Sequence, residues 1–304
     1  MEFAGIISRL LQRDEQSRGR GLRIRTYAVT PISEECGLIQ WVPATTGFRI
    51  IVQQRYTARG MGLPSSAIRA IAERRGKDWN KRLHAFVHDL LPPHPPIFYT
   101  WFHEMFGTPQ RWLAARSRYA ATMATMSIVG WIIGLGDRHG ENILFDEKSG
   151  DCVHVDLNCL FEKGLTLAEP ELVPFRLTHN LTDALGVTGV EGPFRRGCES
   201  VYRVMREHRD ALNAVLETFL HDPLCEWGKS LRFAAGHTGS LVEKQQAMEV
   251  EQAAKALATI DRKLLGIDKV SIPLSVEGQV QELIRAATDV NLLAQMYIGW
   301  GSYL

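Results

Sequence analysis

The chain has 304 residues, 45% of them hydrophobic and 23% charged, with a formal net charge of +1. That profile is globular and long enough for a large core or two packed lobes, and it carries no global field to recruit nucleic acid or an anionic membrane. The five cysteines (Cys36, Cys152, Cys159, Cys198, Cys225) are scattered without CxxC spacing, which argues for a reduced intracellular protein and against a disulfide framework or zinc knuckle.

The N-terminal stretch MEFAGIISRLLQRDEQ lacks a basic n-region and a cleavage site, so no secretory signal is expected. Phe3, Ile6, Ile7, Leu10 and Leu11 fall on one face of a helix over 3–14. Partial alternation through Leu22, Ile24 and Tyr27 predicts a strand, and CGLIQWV (36–42) a second one. From about residue 65 the pattern is helical: SSAIRAIAERR, then 79–91, then PIFYTWFHEMF, then a longer helix from about Pro109 to Ile133. Met123, Met126, Gly130 and Gly134 keep helical spacing there and suit a closely packed core helix. The apolar run around MSIVGWIIGLG is too short to span a bilayer. His84 and His88 are spaced as in zinc helices, but the HExxH glutamate and a third ligand are missing. The basic RGRGLRIR reads as an exposed loop and strand face.

After Gly136 the texture changes. ILF and CVHV flank DEKSGD, a hairpin signal, with His154 as a core histidine. Residues 157–175 read as a long loop, and long loops in compact domains are often functional. Helices resume over about 176–222, a connecting helix covers 241–265, and the last 33 residues form a helical tail.

The chemistry concentrates in GLGDRHGENILF (134–145). Phosphoryl transfer needs a carboxylate to orient the attacking hydroxyl and oxygen ligands to hold magnesium against the phosphates. In protein kinases the catalytic aspartate and a metal-binding asparagine are separated by four residues. Here four residues separate Asp137 from Asn142. Pairing Ile143–Phe145 with Val153–Val155 sets Ile143 opposite Val155 and Asn142 opposite Asp156, with Cβ atoms about 4.5–5.5 Å apart. The glycines do not form a dinucleotide fingerprint.

GLGDRHGENILFD followed by CVHVDLNCLFEKG resembles the catalytic and metal loops of the phosphatidylinositol-3-kinase-related protein kinases. PELVPFRLTHN extends the likeness, and LLAQMYIGW resembles that family's C-terminal FATC tail. Asn158, where most kinases have Gly, resembles the checkpoint branch of the family. The resemblance implies an α+β, protein-kinase-like fold: a mostly helical C-lobe, a small remnant of the N-lobe and a helical C-terminal tail. It implies the end of the N-lobe and the hinge at 1–42, the C-lobe at 43–228, a regulatory connector at 229–271 and the FATC tail at 272–304.

It also implies roles. Asp137 orients the substrate hydroxyl and accepts its proton, His139 stabilises the transferred phosphoryl group, and Asn142 and Asp156 hold magnesium, or manganese in its place. Arg138 braces the loop. Gln40, Trp41 and Val42 match the hinge that meets the adenine of ATP, with Leu144 and Val155 flooring the pocket. Leu157 stands where the metal loop usually has Phe. The tail docks near the activation loop, with its ending GWGSYL departing from the usual pattern at Ser302 and Leu304.

The expected partners are protein substrates with Ser/Thr-Gln sites and a regulatory subunit, in the nucleus, with no direct contact to nucleic acid or membrane. A phosphoinositide headgroup demands clustered cations, whereas 157–175 holds one, Lys163, against Glu162, Glu169 and Glu171. Protein is therefore favoured over lipid as substrate, and a kinase-like scaffold without turnover is the remaining alternative. No glycine-rich phosphate loop precedes Gln40 and no lysine precedes Lys77, so poor turnover by this chain alone is expected.

Overall fold

A computed structural model of the chain describes residues 1–33, 36–220, 239–267 and 272–304. Helix α1 (Glu2–Arg13) buries Ile7 and Leu11. Asp14 ends it and caps α2 (Glu15–Gly19) by accepting the Ser17 N–H at 2.8 Å. The stretch from Leu22 to Tyr27 is extended but not a strand. Leu22 and Ile24 enter the core, while Arg23 and Arg25 pair with Asp151 and Asp146. The alternation is real, but among the described residues no ladder partner lies alongside. A short hairpin follows, β1 (Val29–Pro31) against β2 (Gly37–Ile39).

Strand β3 (Thr45–Gly47) and helix α3 (Phe48–Ala58) have no counterpart in the sequence pattern described above. Buried Phe48, Ile51, Val52 and Tyr56 do keep a helical spacing. The β-branched run Ile50–Val52 masks it, because such residues favour strands. Helices α4 (Ser65–Arg75), α5 (Trp79–Ala85, prolonged by a π-helical turn at Phe86–Leu90) and α6 (Tyr99–Met105) lie where the periodicity predicts them.

Helix α7 (Pro109–Ile132) is the axis of the core, buried at every position from Tyr119 to Ile132. Thr108 caps it and Pro109 supplies a preset first turn. Beyond it lie β4 (Ile143–Asp146) and β5 (Cys152–His154), which with β3 make an antiparallel sheet in the order β3-β4-β5. Phe145 of β4 packs among Phe48, Phe98, Trp101 and Tyr119 at centroid distances of 4.7–6.2 Å, which anchors the hairpin in the aromatic core.

The hairpin register differs by one residue from the expected pairing. Ile143 opposes His154 and Phe145 opposes Cys152. The turn sets this. Asp146 and Asp151 close it at 2.9 Å, the Asp146 carboxylate accepts the N–H groups of Lys148 and Ser149, and Gly150 takes a φ of +78°.

The C-terminal half contains α8 (His179–Ala184), α9 (Pro193–Glu207), α10 (Arg209–Leu220), α11 (Gly239–Leu265), α12 (Val276–Thr288) and α13 (Val290–Gln295), ending in a 3-10 turn at Ile298–Trp300. Helices α7 and α9 approach closely at Gly197, where an added Cβ would lie 2.9 Å from the Ala124 Cβ. Residues 229–238 and 268–271 of the expected connector, and Cys225, lie outside the described residues. In the tail Leu293, Met296 and Trp300 are buried, but Tyr297 is 55% exposed because the helix ends at Gln295. Ser302 and Leu304 are buried.

Arg203 of α9 holds Asp14 at 2.8 Å and so ties the first helices to the core. Burial alone would raise the Asp14 carboxyl, but the Arg203 guanidinium and the Ser17 N–H bring it down to about 2. The folded value lies below the unfolded 3.8, so this stabilisation is present above pH ~4 and lost as pH falls toward 2. Asp14→Asn, which keeps the cap, is expected to cost about 1 kcal/mol at pH 7 after solvent screening. The Tm difference from wild type should shrink as pH falls toward 2.

Candidate active site

The segment after α7 is pinned at nearly every peptide. Gly136 N–H donates to Cys159 O at 2.7 Å and Asp137 N–H to a Glu171 carboxylate oxygen at 2.8 Å. Asn142 N–H donates to His139 O at 3.1 Å, and the Asn142 side-chain amide to Asp137 O at 2.8 Å. Arg49 N–H, in the first turn of α3, donates to Gly140 O at 2.8 Å. An added Cβ on Gly140 would lie 3.0 Å from the Arg49 Cβ, so this close approach calls for glycine.

Arg138 is the brace. Its guanidinium donates to Gly136 O at 2.9 Å, to Val155 O at 2.7 Å and to Asp156 O. One buried side chain thereby joins the loop carrying Asp137 to the end of β5 carrying Asp156. Burial pushes its pKa down, and the neighbouring Asp137 and Asp156 oppose that shift.

Asp137 and Asp156 both adopt left-handed backbone, with φ of +57° and +52°. Non-glycine residues pay a conformational cost there, and such residues cluster at functional sites. Asp137 is half-exposed, and its carboxylate lies 3.9 Å from His139 Nε2. His139 Nδ1 accepts the Glu141 N–H at 3.2 Å, which turns Nε2 toward Asp137.

In the observed register Asn142, Leu144, Val153 and Val155 share one face of the hairpin. Val155 N–H donates to Asn142 O at 3.1 Å, so Val155, not Asp156, opposes Asn142. A fully extended Asp156 would face the other way; its left-handed φ breaks the pleat at that point. Its side chain is exposed and makes no ion pair among the described residues.

The donor set suits magnesium. An exposed carboxylate at Asp156 and the Asn142 side-chain oxygen, left over when its amide nitrogen engages Asp137, are hard oxygen ligands. Magnesium is bound by one or two such groups together with phosphates and water.

Gln40, Trp41 and Val42 follow β2. Gln40 exchanges two hydrogen bonds with Ala28, at 2.8 and 2.9 Å, and Thr45 Oγ1 donates to Val42 O at 3.0 Å. Strand β3 then pairs with β4, which connects this segment to Leu144. Trp41 is 87% exposed.

A family model described as phosphatidylinositol 3- and 4-kinase matches residues 1–229, and a FATC domain model matches 273–304. The chain belongs to the phosphatidylinositol 3- and 4-kinase family. Among relatives of this kinase-family chain, protein kinase rad3 of Schizosaccharomyces pombe is 45% identical over 304 residues, covering all of the chain and 12% of rad3. Serine/threonine-protein kinase ATR of Arabidopsis thaliana is 48% identical over 303 residues, covering 99% of the chain and 11% of that kinase. The solved FAT and kinase domain of CtTel1 superposes with a TM-score of 0.85 at 35% identity, over 99% of the chain and 20% of that structure. The kinase-like α+β fold and the likeness to protein kinases thus rest on sequence and structure together. Among the described residues no helix is long and apolar enough to cross a membrane.

Other residues near the site carry no motif. Glu162 pairs with Lys263 of α11, Glu169 with Arg82 at 3.1 Å, and Glu171 with the Asp137 peptide. The acidic residues of the 157–175 loop are therefore used internally. Their partners lie far away in sequence, so spacing could not reveal them. His154 is buried, but among the described residues neither ring nitrogen has a hydrogen-bond partner, and burial pushes its pKa down to about 3. It is a neutral core residue rather than a hydrogen-bonded one.

Proposed function

We propose that this chain is the C-terminal catalytic part of a larger ATP-dependent protein serine/threonine kinase of the checkpoint type. The observation that carries the reading is the bracing of one loop and one strand end by Arg138, which brings left-handed Asp137 and left-handed Asp156 together with Asn142.

Asp137 orients the attacking Ser or Thr hydroxyl and accepts its proton. The half-exposed carboxylate suits that role, since a general base must be reachable by substrate. His139, with Nε2 turned toward Asp137, meets the negative charge on the transferred phosphoryl group. Asn142 and Asp156 would hold magnesium, or manganese. When bound, the ion would supply positive charge to offset that of the nucleotide phosphates. Gln40, Trp41 and Val42 meet the adenine, above Leu144 and Val155.

Protein is preferred over lipid because Lys163 is the sole cation among residues 157–175. The reading includes Ser/Thr followed by Gln as the target, a nuclear location and a regulatory partner subunit, and the likeness to rad3 and ATR supports it. The family description itself names phosphatidylinositol kinases, which keeps the lipid reading as the rival. The test offers a Ser-Gln peptide and phosphatidylinositol vesicles side by side to the full kinase carrying this segment. Peptide labelling without lipid labelling is expected; the reverse overturns the protein-kinase reading. The 304-residue chain alone is expected to turn over ATP slowly, because it contains no glycine-rich loop before Gln40 and its Trp41 is open to solvent. Rates matching the full kinase would contradict this.

A further inference from the structure

We infer that Glu171 is a positioning residue for the catalytic loop: its carboxylate, slotted between Gly136 and Gly164, holds the Asp137 peptide in its left-handed conformation. The inference rests on the kinase reading of Asp137 and adds a residue that reading does not use.

Three independent features converge on this carboxylate. Glu171 Oε2 accepts the Asp137 N–H at 2.8 Å. The same oxygen would lie 2.7 Å from a Cβ added at Gly136 and 2.7 Å from one added at Gly164. Any side chain at either glycine would displace it. The loop also closes on itself beside this slot, with Glu171 N–H donating to Gly164 O at 3.0 Å. Glu171 is thus delivered by its own loop into a gap shaped by two glycines, and it meets the single peptide whose φ is +57°. Asp137 pays a conformational cost for that φ, and a charged acceptor on its N–H offsets it.

The surroundings agree. Burial pushes the Glu171 carboxyl up, the Asp137 N–H pulls it down, the Asp137 carboxylate raises it, and the Arg138 guanidinium and the Trp300 indole of the tail lower it. A half-buried acid between a like charge and a cation is aimed at the loop rather than at solvent. Because Glu171 belongs to the 157–175 loop, any rearrangement of that loop withdraws the acceptor from Asp137. The geometry of the catalytic aspartate is therefore tied to the conformation of a segment with no catalytic group of its own.

The test uses the full kinase carrying this segment, with Glu171→Ala, Glu171→Gln and Gly164→Ala. The glutamine amide oxygen still accepts the N–H, alanine cannot, and a methyl at Gly164 evicts the carboxylate while leaving Glu171 in place. Hydrogen exchange of peptides spanning 134–142 is expected to speed up about tenfold in Glu171→Ala and Gly164→Ala and to stay within about threefold of wild type in Glu171→Gln. In peptide phosphorylation, Glu171→Ala and Gly164→Ala are expected to lower kcat about 10- to 100-fold with KM for ATP within about threefold, and Glu171→Gln to restore most of the rate. Wild-type exchange in Glu171→Ala overturns the inference, as does wild-type kcat. Equal loss in the alanine and glutamine variants, or a large rise in KM, also overturns it, because the charge would then be acting on substrate. A wild-type protein silent toward peptides sinks the kinase reading instead, and the exchange comparison still decides whether Glu171 holds Asp137.

Discussion

Asp137→Asn is expected to lower peptide phosphorylation by about 100- to 10,000-fold in kcat, the range for loss of a positioned general base, while KM for ATP stays close to wild type. Asparagine is the informative replacement because Asp137 sits at φ +57°. Asparagine tolerates left-handed backbone, whereas alanine there would add strain and confuse a chemical loss with a conformational one. The N–H to Glu171 and the carbonyl to Asn142 belong to the backbone, so both survive the substitution. The side chain is 46% exposed, so Tm should not move appreciably. Equal phosphorylation by Asp137→Asn and wild type would leave only a scaffold, or a contaminating kinase, as the source of activity.

Most of the helices around Asp137 follow from the sequence pattern, whereas the contacts that hold its loop do not, for physical reasons. Helix α7 lies close to where its apolar period predicts it, and α9 and α12 fall inside the helical stretches expected at about 176–222 and in the last 33 residues. Helix α3 hid behind its β-branched run, and the segment Leu22–Tyr27 alternates like a strand because arginines reach across to Asp146 and Asp151 rather than because a neighbour pairs with it. In the site, residue types, spacing and an expected hairpin pointed to Asp137, Asn142 and Asp156, whereas His139 came from the family resemblance alone. The register did not follow, because it depends on how Asp146 and Gly150 close the turn. A one-residue slip moves every side chain to the other face, and Asp156 leaves the pleat through a left-handed φ that no pattern reveals. The clamps on the loop, Glu171 and Arg176, were out of reach for another reason: their partners are peptide groups, which every residue carries.

Arg176→Ala is expected to destabilise the fold by about 2–6 kcal/mol, because two buried tail carbonyls lose a charged donor at about 1–3 kcal/mol each. Arg176 is 1% exposed and donates to Trp300 O at 2.7 Å, to Gly301 O at 2.6 Å and to Arg138 O at 3.4 Å. Its guanidinium also lies 4.3 Å from the Trp300 ring centroid and 5.2 Å from that of Phe48. Burial pushes its pKa down to about 9, so it is still a cation at neutral pH. Alanine would leave two tail carbonyls facing a cavity with no donor, and each unsatisfied acceptor costs about 1–3 kcal/mol. The damage should be local first. Arg75 and Arg82 hold the carbonyls of residues 294–296 and Arg49 holds Gly299, so the tail retains those grips while its last residues lose theirs. Limited proteolysis should therefore cut after about residue 300 in the variant before α12 is attacked. Arg176→Lys is expected to recover little, because one ammonium cannot span two successive carbonyls as the planar fork does. A lysine variant with wild-type Tm and an intact C-terminus would show that the charge alone suffices. The same guanidinium touches Arg138, so tail and catalytic loop should loosen together, and the variant should lose kcat at temperatures where its helices still give a native circular dichroism signal.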